Sequence, residues 1–111
     1  MDIQMSTEGS TLVLALTGKL DAVTAPEFEK KVNELLAAES CVLIVDCERL
    51  DYISSAGLRA LLATAKRSKS RGGQVRCANV TGSVREVFDI SGFSTIFPMH
   101  DSVAGAVAAV E

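Results

Sequence analysis

The chain of 111 residues carries one histidine, His100, and three cysteines, none of them in a C-x-x-C pair. A nucleophilic serine enzyme needs a base within hydrogen-bond reach and an oxyanion site. The lone imidazole lies far along the chain, and neither a G-x-S-x-G elbow nor a G-x-x-x-x-G-K-[ST] loop occurs. No enzyme is therefore expected, and no bound cofactor. Cys41, Cys47 and Cys77 are odd in number and sit in or beside apolar runs. They read as small buried hydrophobes in a reducing compartment, with no metal site. No stretch approaches the ~18 apolar residues of a membrane span, and the start Met-Asp-Ile-Gln-Met lacks a basic lead and an apolar block. A cytoplasmic protein without membrane insertion is expected. The net charge of −3 comes from interspersed acids and bases, so the clustered basic face that nucleic acid requires is missing. Lys66, Arg67, Lys69 and Arg71 are close together, but at the end of a helical pattern, where cations suit the helix dipole. There is no internal repeat, linker or low-complexity tract.

What is present is a globular composition, 48% hydrophobic and 23% charged, long enough to bury a core as one domain over residues 1–111. Residues 2–8 alternate loosely like an edge strand, Gly9-Ser10 marks a turn, and residues 11–17 are rich in strand formers. A loop over 19–21 precedes a capping-box pattern, Thr24 with Glu27, and a helix whose inner stripe is Phe28, Val32, Leu35 and Leu36. The apolar run 41–46 predicts a central strand covered on both faces. A helix to about residue 70 follows, closed by Arg71-Gly-Gly. Residues 75–78 read as a strand. Ser83 with Glu86 suggests a second capping box, and Gly92 a helix end. Residues 93–99 suggest a short edge strand, and a last helix uses Val103, Ala106, Val107 and Val110. The order β, β, α, β, α, β, α, β, α predicts an α/β fold: a mixed, mostly parallel sheet with helices covering at least one face.

The most informative stretch is Asp51-Tyr-Ile-Ser-Ser-Ala-Gly-Leu-Arg59, where a strand-like run meets a helix-like one. Ser54 is the better placed N-cap, which leaves Ser55 freer to reach outward. Ala56 and Gly57 keep the first turn open, and Gly57 lets a backbone or a partner approach closely. Arg59 is one turn on and outward, free for a partner or for solvent. Asp21 and Asp46 follow predicted strands and read either as loop caps or as a polar rim around the two hydroxyls. Functional loops lie at the carboxyl ends of such strands, so Asp21, Asp46, Ser54 and Ser55 are expected to converge.

The run Leu43-Ile-Val-Asp-Cys-Glu-Arg-Leu-Asp-Tyr-Ile-Ser-Ser-Ala-Gly-Leu-Arg59 resembles the signature of STAS domains, and more closely that of the bacterial anti-sigma-factor antagonists. Gly18-Lys-Leu-Asp-Ala22, Gly72-Gly73 and Val87-Phe-Asp-Ile-Ser-Gly-Phe93 agree with it in order, so the resemblance covers essentially the whole chain. It implies a mixed sheet with helices mainly on one face. It also implies partner switching. The unmodified chain would bind an anti-sigma factor that is a serine kinase; the residues positioned above, Asp21, Asp46, Ser54, Ser55, Gly57 and Arg59, are the expected contact set. The kinase then phosphorylates the serine before the small residue and glycine, here Ser55, and a PP2C-type, metal-dependent phosphatase resets it. ATP and magnesium belong to the kinase. Where many relatives have aspartate before the target serine, this chain has Ser54. An alternative within the same resemblance is a stand-alone interaction subunit of a membrane lipid-transport or other signalling system.

Overall fold

The computed structural model describes residues 1–38 and 42–110, so the expected strand position of Cys41 lies outside the described residues. Strand β1 (Asp2–Glu8) turns at Gly9, in left-handed backbone at φ 64°, and pairs antiparallel with β2 (Thr11–Leu20). Helix α1 (Ala25–Ala38) leads into β3 (Val42–Ile53), which runs parallel to β2. Helix α2 (Ser55–Ser70) leads into β4 (Gln74–Ala78). Helices α3 (Gly82–Ser91) and α4 (Phe93–Ile96) lead into the two-residue β5 (Met99–His100), and α5 (Val103–Val110) follows. The sheet order is β1-β2-β3-β4-β5, and the last three pairings are parallel.

A parallel neighbour is reached by a right-handed crossover, so successive connections in one direction stack their helices on one face. Most of the core accordingly lies there. Leu14, Leu16, Leu43, Val45, Val75 and Cys77 of the sheet meet Phe28, Val32, Leu61 and Phe88. Truncating a side chain as enclosed as Phe28 or Phe88 costs ~3–5 kcal/mol. The opposite face is partly covered by α5, where Val103, Ala106 and Val107 pack on Val13, Ile44 and Ala78. Ile44 on one side of β3 and Leu43 and Val45 on the other give the doubly covered central strand expected of that run.

Three local expectations change. Within the expected 93–99 strand, Phe93–Ile96 form a helical turn, and the short edge strand is confined to Met99–His100. Gly92, at φ 80°, reverses the chain, and Phe93 and Phe97 close an aromatic triangle with Phe88, ring centroids 5.8–6.3 Å apart. Helix α3 begins at Gly82 with Thr81 in the cap position, ahead of the expected Ser83 box. The Thr24 hydroxyl turns back into the loop, accepting from the Asp21 N–H at 2.9 Å and donating to the Lys19 carbonyl at 2.8 Å.

Candidate functional site

Strand β3 outruns β4 by seven residues, and its outer half is irregular. Ala15 faces Asp46 and Thr17 faces Arg49. Gly18 then faces Leu50 and Lys19 faces Tyr52. Each step places an extra residue in β3, which makes two bulges. Inward side chains therefore recur every third residue, Cys47, Leu50 and Ile53, while Glu48, Arg49, Asp51 and Tyr52 are exposed. The bulges carry β3 to the end of β2, where the chain turns into α2.

The turn is bolted to β2. The Ser54 N–H donates to the Leu20 carbonyl at 3.0 Å, and the Ser54 carbonyl accepts from the Leu58 N–H at 2.9 Å. The Ser54 Oγ accepts from the Gly57 N–H at 3.3 Å and caps α2. Ser54 is half-buried, in extended backbone at φ −96°, ψ 175°. Ser55 opens the helix and is exposed, and among the described residues nothing holds its hydroxyl. Gly57 is buried. A Cβ there would stand 2.4 Å from the Leu20 carbonyl oxygen and 2.9 Å from Ile53 Cγ1. Of the two close approaches expected at Gly57, backbone or partner, the geometry shows that of its own chain.

Asp21 directly follows Leu20 and so shares this rim. Its Oδ1 accepts from the N–H groups of Val23 at 3.0 Å and Thr24 at 3.1 Å. The Thr24 backbone N–H is the main influence that holds its carboxyl below the usual carboxylate range. Asp21 therefore fixes the loop that enters α1, and it does so beside Ser54. That loop presents Val23, 85% exposed, and Tyr52 at the end of β3 is 49% exposed. Neither is marked by a motif of its own. A lone aliphatic inside a polar loop was the available signal for Val23. Arg59 is exposed one turn beyond Ser55, as the inward positions of Leu58 and Leu61 require.

Asp46 does not join them. It lies inside β3, opposite Ala15 and Ala78, where β4 ends. Eight residues of bulged strand separate it from Ser54, roughly 20–25 Å. Its Oδ1 accepts from the Asn79 side-chain amide at 2.9 Å and from the Glu48 N–H at 3.1 Å. Asn79 is in the left-handed region at φ 59°, so Asp46 steadies a strained turn into α3. It also lines a polar cleft of about 220 Å³ with Gln4, Thr17, Glu48 and Arg49 on the α5 side of the sheet. The expected convergence holds for Asp21, Ser54 and Ser55 and fails for Asp46, because β3 continues past it.

Cys47 and Cys77 are buried free thiols, and desolvation pushes the Cys47 thiol up to about 12. Among the described residues no group of three or more His, Cys, Asp or Glu side chains is placed to hold a metal ion. No described helix is long and apolar enough to cross a membrane.

Comparison with known proteins agrees with this architecture. BtrV of Bordetella bronchiseptica, a protein named for anti-sigma factor antagonism, is 36% identical over 109 residues, covering 98% of this chain and 94% of its own. An anti-sigma factor antagonist from Mycobacterium paratuberculosis superposes with a TM-score of 0.89 at 23% identity, over 98% of this chain and 92% of that one. The Bacillus cell fate determinant SpoIIAA in its phosphorylated form gives a TM-score of 0.76 at 23% identity, over 99% and 100% of the two chains. The family model for the STAS domain matches residues 2–106, nearly the full length, and the chain belongs to that family.

Proposed function

We propose that this chain is an anti-sigma-factor antagonist that works by partner switching, with Ser55 as its switch. The observation that carries the reading is the unequal state of two adjacent hydroxyls. The Ser54 oxygen is tied to the Gly57 N–H, whereas the Ser55 hydroxyl is exposed and unengaged at the head of α2. Unmodified, the chain docks on an anti-sigma factor that is also a serine kinase, and the sigma factor is released. The docking surface is the rim formed by Ser55, the Asp21 loop with Val23, and Arg59. The kinase brings ATP and magnesium, esterifies Ser55 and lets go. A PP2C-type phosphatase removes the phosphate. BtrV, whose name records antagonism of an anti-sigma factor, supports the choice of partner class, and a related fold is known in a phosphorylated form.

Phosphorylation adds about −1.5 to −2 charges at neutral pH. The first turn of α2 holds no acidic residue, so in the free protein the helix dipole offsets part of that charge, by ~0.3–2 kcal/mol. In the complex the phosphate faces a surface fitted to a neutral serine, and mismatched charge at an interface costs several kcal/mol. A cost of ~3–4 kcal/mol weakens binding roughly 100- to 1000-fold. The chain itself needs no catalytic group in this scheme, and its role is regulatory.

The test is affinity capture from the source cells, with and without Mg-ATP, followed by mass spectrometry of the captured protein and of the serines of the bait. Capture of a kinase-type anti-sigma factor, lost as Ser55 gains phosphate, is expected. Capture of a transporter ATPase with Ser55 unmodified overturns the proposal in favour of a membrane-system subunit.

A further inference from the structure

A kinase that reaches the β3–α2 junction meets two serine hydroxyls in succession, and they differ in what each must give up to react. Ser54 is held through its N–H by Leu20, through its carbonyl by Leu58 and through its Oγ by Gly57. An acceptor must present its hydroxyl oxygen in line with the γ-phosphorus and release its proton to a base. Ser54 can do this only by surrendering the cap of α2, in a half-buried position. Ser55 surrenders nothing. The cap also fixes where Ser55 stands, because the Ser54–Gly57 bond closes the first turn of the helix on which Ser55 is the first residue.

On the reading of Ser55 as the modified group, we propose that Ser54 is a positioning residue for the transfer. Its cap withholds its own oxygen and holds the Ser55 hydroxyl outward at the first helical position, so the switch is confined to one site. In the transfer the Ser55 Oγ forms a bond to the γ-phosphorus of the kinase-bound ATP. The bond from that phosphorus to the β,γ-bridging oxygen breaks, ADP leaves, and the hydroxyl proton passes to a base of the kinase. Asparagine is as good a cap as serine but has no hydroxyl to esterify, and alanine is neither cap nor acceptor.

The experiment uses the anti-sigma kinase recovered on the wild-type chain, with Mg-ATP, and reads both the modified site and the KM for the chain. Ser54→Ala is expected to be labelled on Ser55 with KM raised roughly 2- to 30-fold, the range that loss of an N-cap converts to. Ser54→Asn is expected to restore the wild-type KM, and Ser55→Ala to take no phosphate on Ser54. A wild-type KM in Ser54→Ala, failure of Ser54→Asn to restore it, or label on Ser54 in Ser55→Ala overturns this proposal while leaving Ser55 as the switch. A wild-type chain that takes no phosphate at all overturns the switch itself, and this proposal with it.

Discussion

Gly57→Ala sets two effects of opposite sign against each other. By helix propensity alone, alanine for glycine inside α2 stabilises by ~1 kcal/mol. The geometry predicts the reverse. The new Cβ would stand 2.4 Å from the Leu20 carbonyl oxygen and 3.0 Å from Leu20 Cγ. That oxygen cannot retreat freely, because it accepts the Ser54 N–H at 3.0 Å. Relief therefore requires moving the β3–α2 junction away from β2, which strains the packing by ~1–3 kcal/mol. It also weakens a backbone hydrogen bond worth ~1 kcal/mol. The balance is a net loss of ~1–3 kcal/mol. With a urea m-value of ~1–3 kcal/mol/M for a small protein, the midpoint falls by roughly 1 M at unchanged m. Urea denaturation followed by far-UV circular dichroism reads it directly. A midpoint equal to or above wild type refutes the claim that the close approach at Gly57 holds the junction in place.

Other predictions follow from the same geometry. The Cys47 thiol is protonated in the fold to about pH 12 but to about pH 9 when unfolded, so its stabilising contribution is complete below pH 9 and is lost as pH rises toward 12. Stability should fall by ~1.4 kcal/mol per pH unit above 9 from this group, with a further fall from the Cys77 thiol, which burial also raises; urea midpoints at pH 8 and 10.5 measure the sum, and Cys47→Ala should shrink the fall without removing it. Asp21 is depressed by the Thr24 N–H, so its hold on the loop is present at neutral pH and lost as pH falls below its ordinary value of 3.8. Asp21→Ala should accordingly speed amide exchange at Val23 and Thr24 at pH 7. Asp46→Ala frees Asn79 and should destabilise by ~1–2 kcal/mol in urea melts while leaving partner affinity unchanged in calorimetry. Val23→Asp, on the exposed rim, should weaken partner binding at least tenfold, ~1.4 kcal/mol, with an unchanged melting temperature.

Where local pattern and tertiary contact agree, the elements were legible from sequence. The apolar run of β3 and the glycine end of α3 at Gly92 are examples, as is the cap at Ser54. Disagreements arise where a distant contact overrides a local signal. The outer half of β3 has no period-two alternation, because its two bulges space the inward residues Cys47, Leu50 and Ile53 three apart. The apolar run stops at Asp46 and mimics a strand end, whereas the bulged strand continues seven residues further to Ile53. Phe93 suits a strand by type but opens a helical turn, and both it and Phe97, the extended residue that ends that turn, pack on Phe88. The need for glycine at position 57 resides in the Leu20 carbonyl, thirty-seven positions away in sequence, and no pattern within α2 announces it. The Ser55 hydroxyl was legible because its exposure follows from local cap geometry.

The central claim is that esterifying one exposed hydroxyl repels a docked protein without altering the scaffold. Phosphoserine installed at position 55 tests it, with calorimetric titration of modified and unmodified chains against the captured anti-sigma kinase and thermal melts of each alone. The account predicts affinity roughly 100- to 1000-fold lower for the phosphorylated chain, with closely similar melts. Equal affinities, or a phosphorylated chain that has lost its folded melt, contradict it.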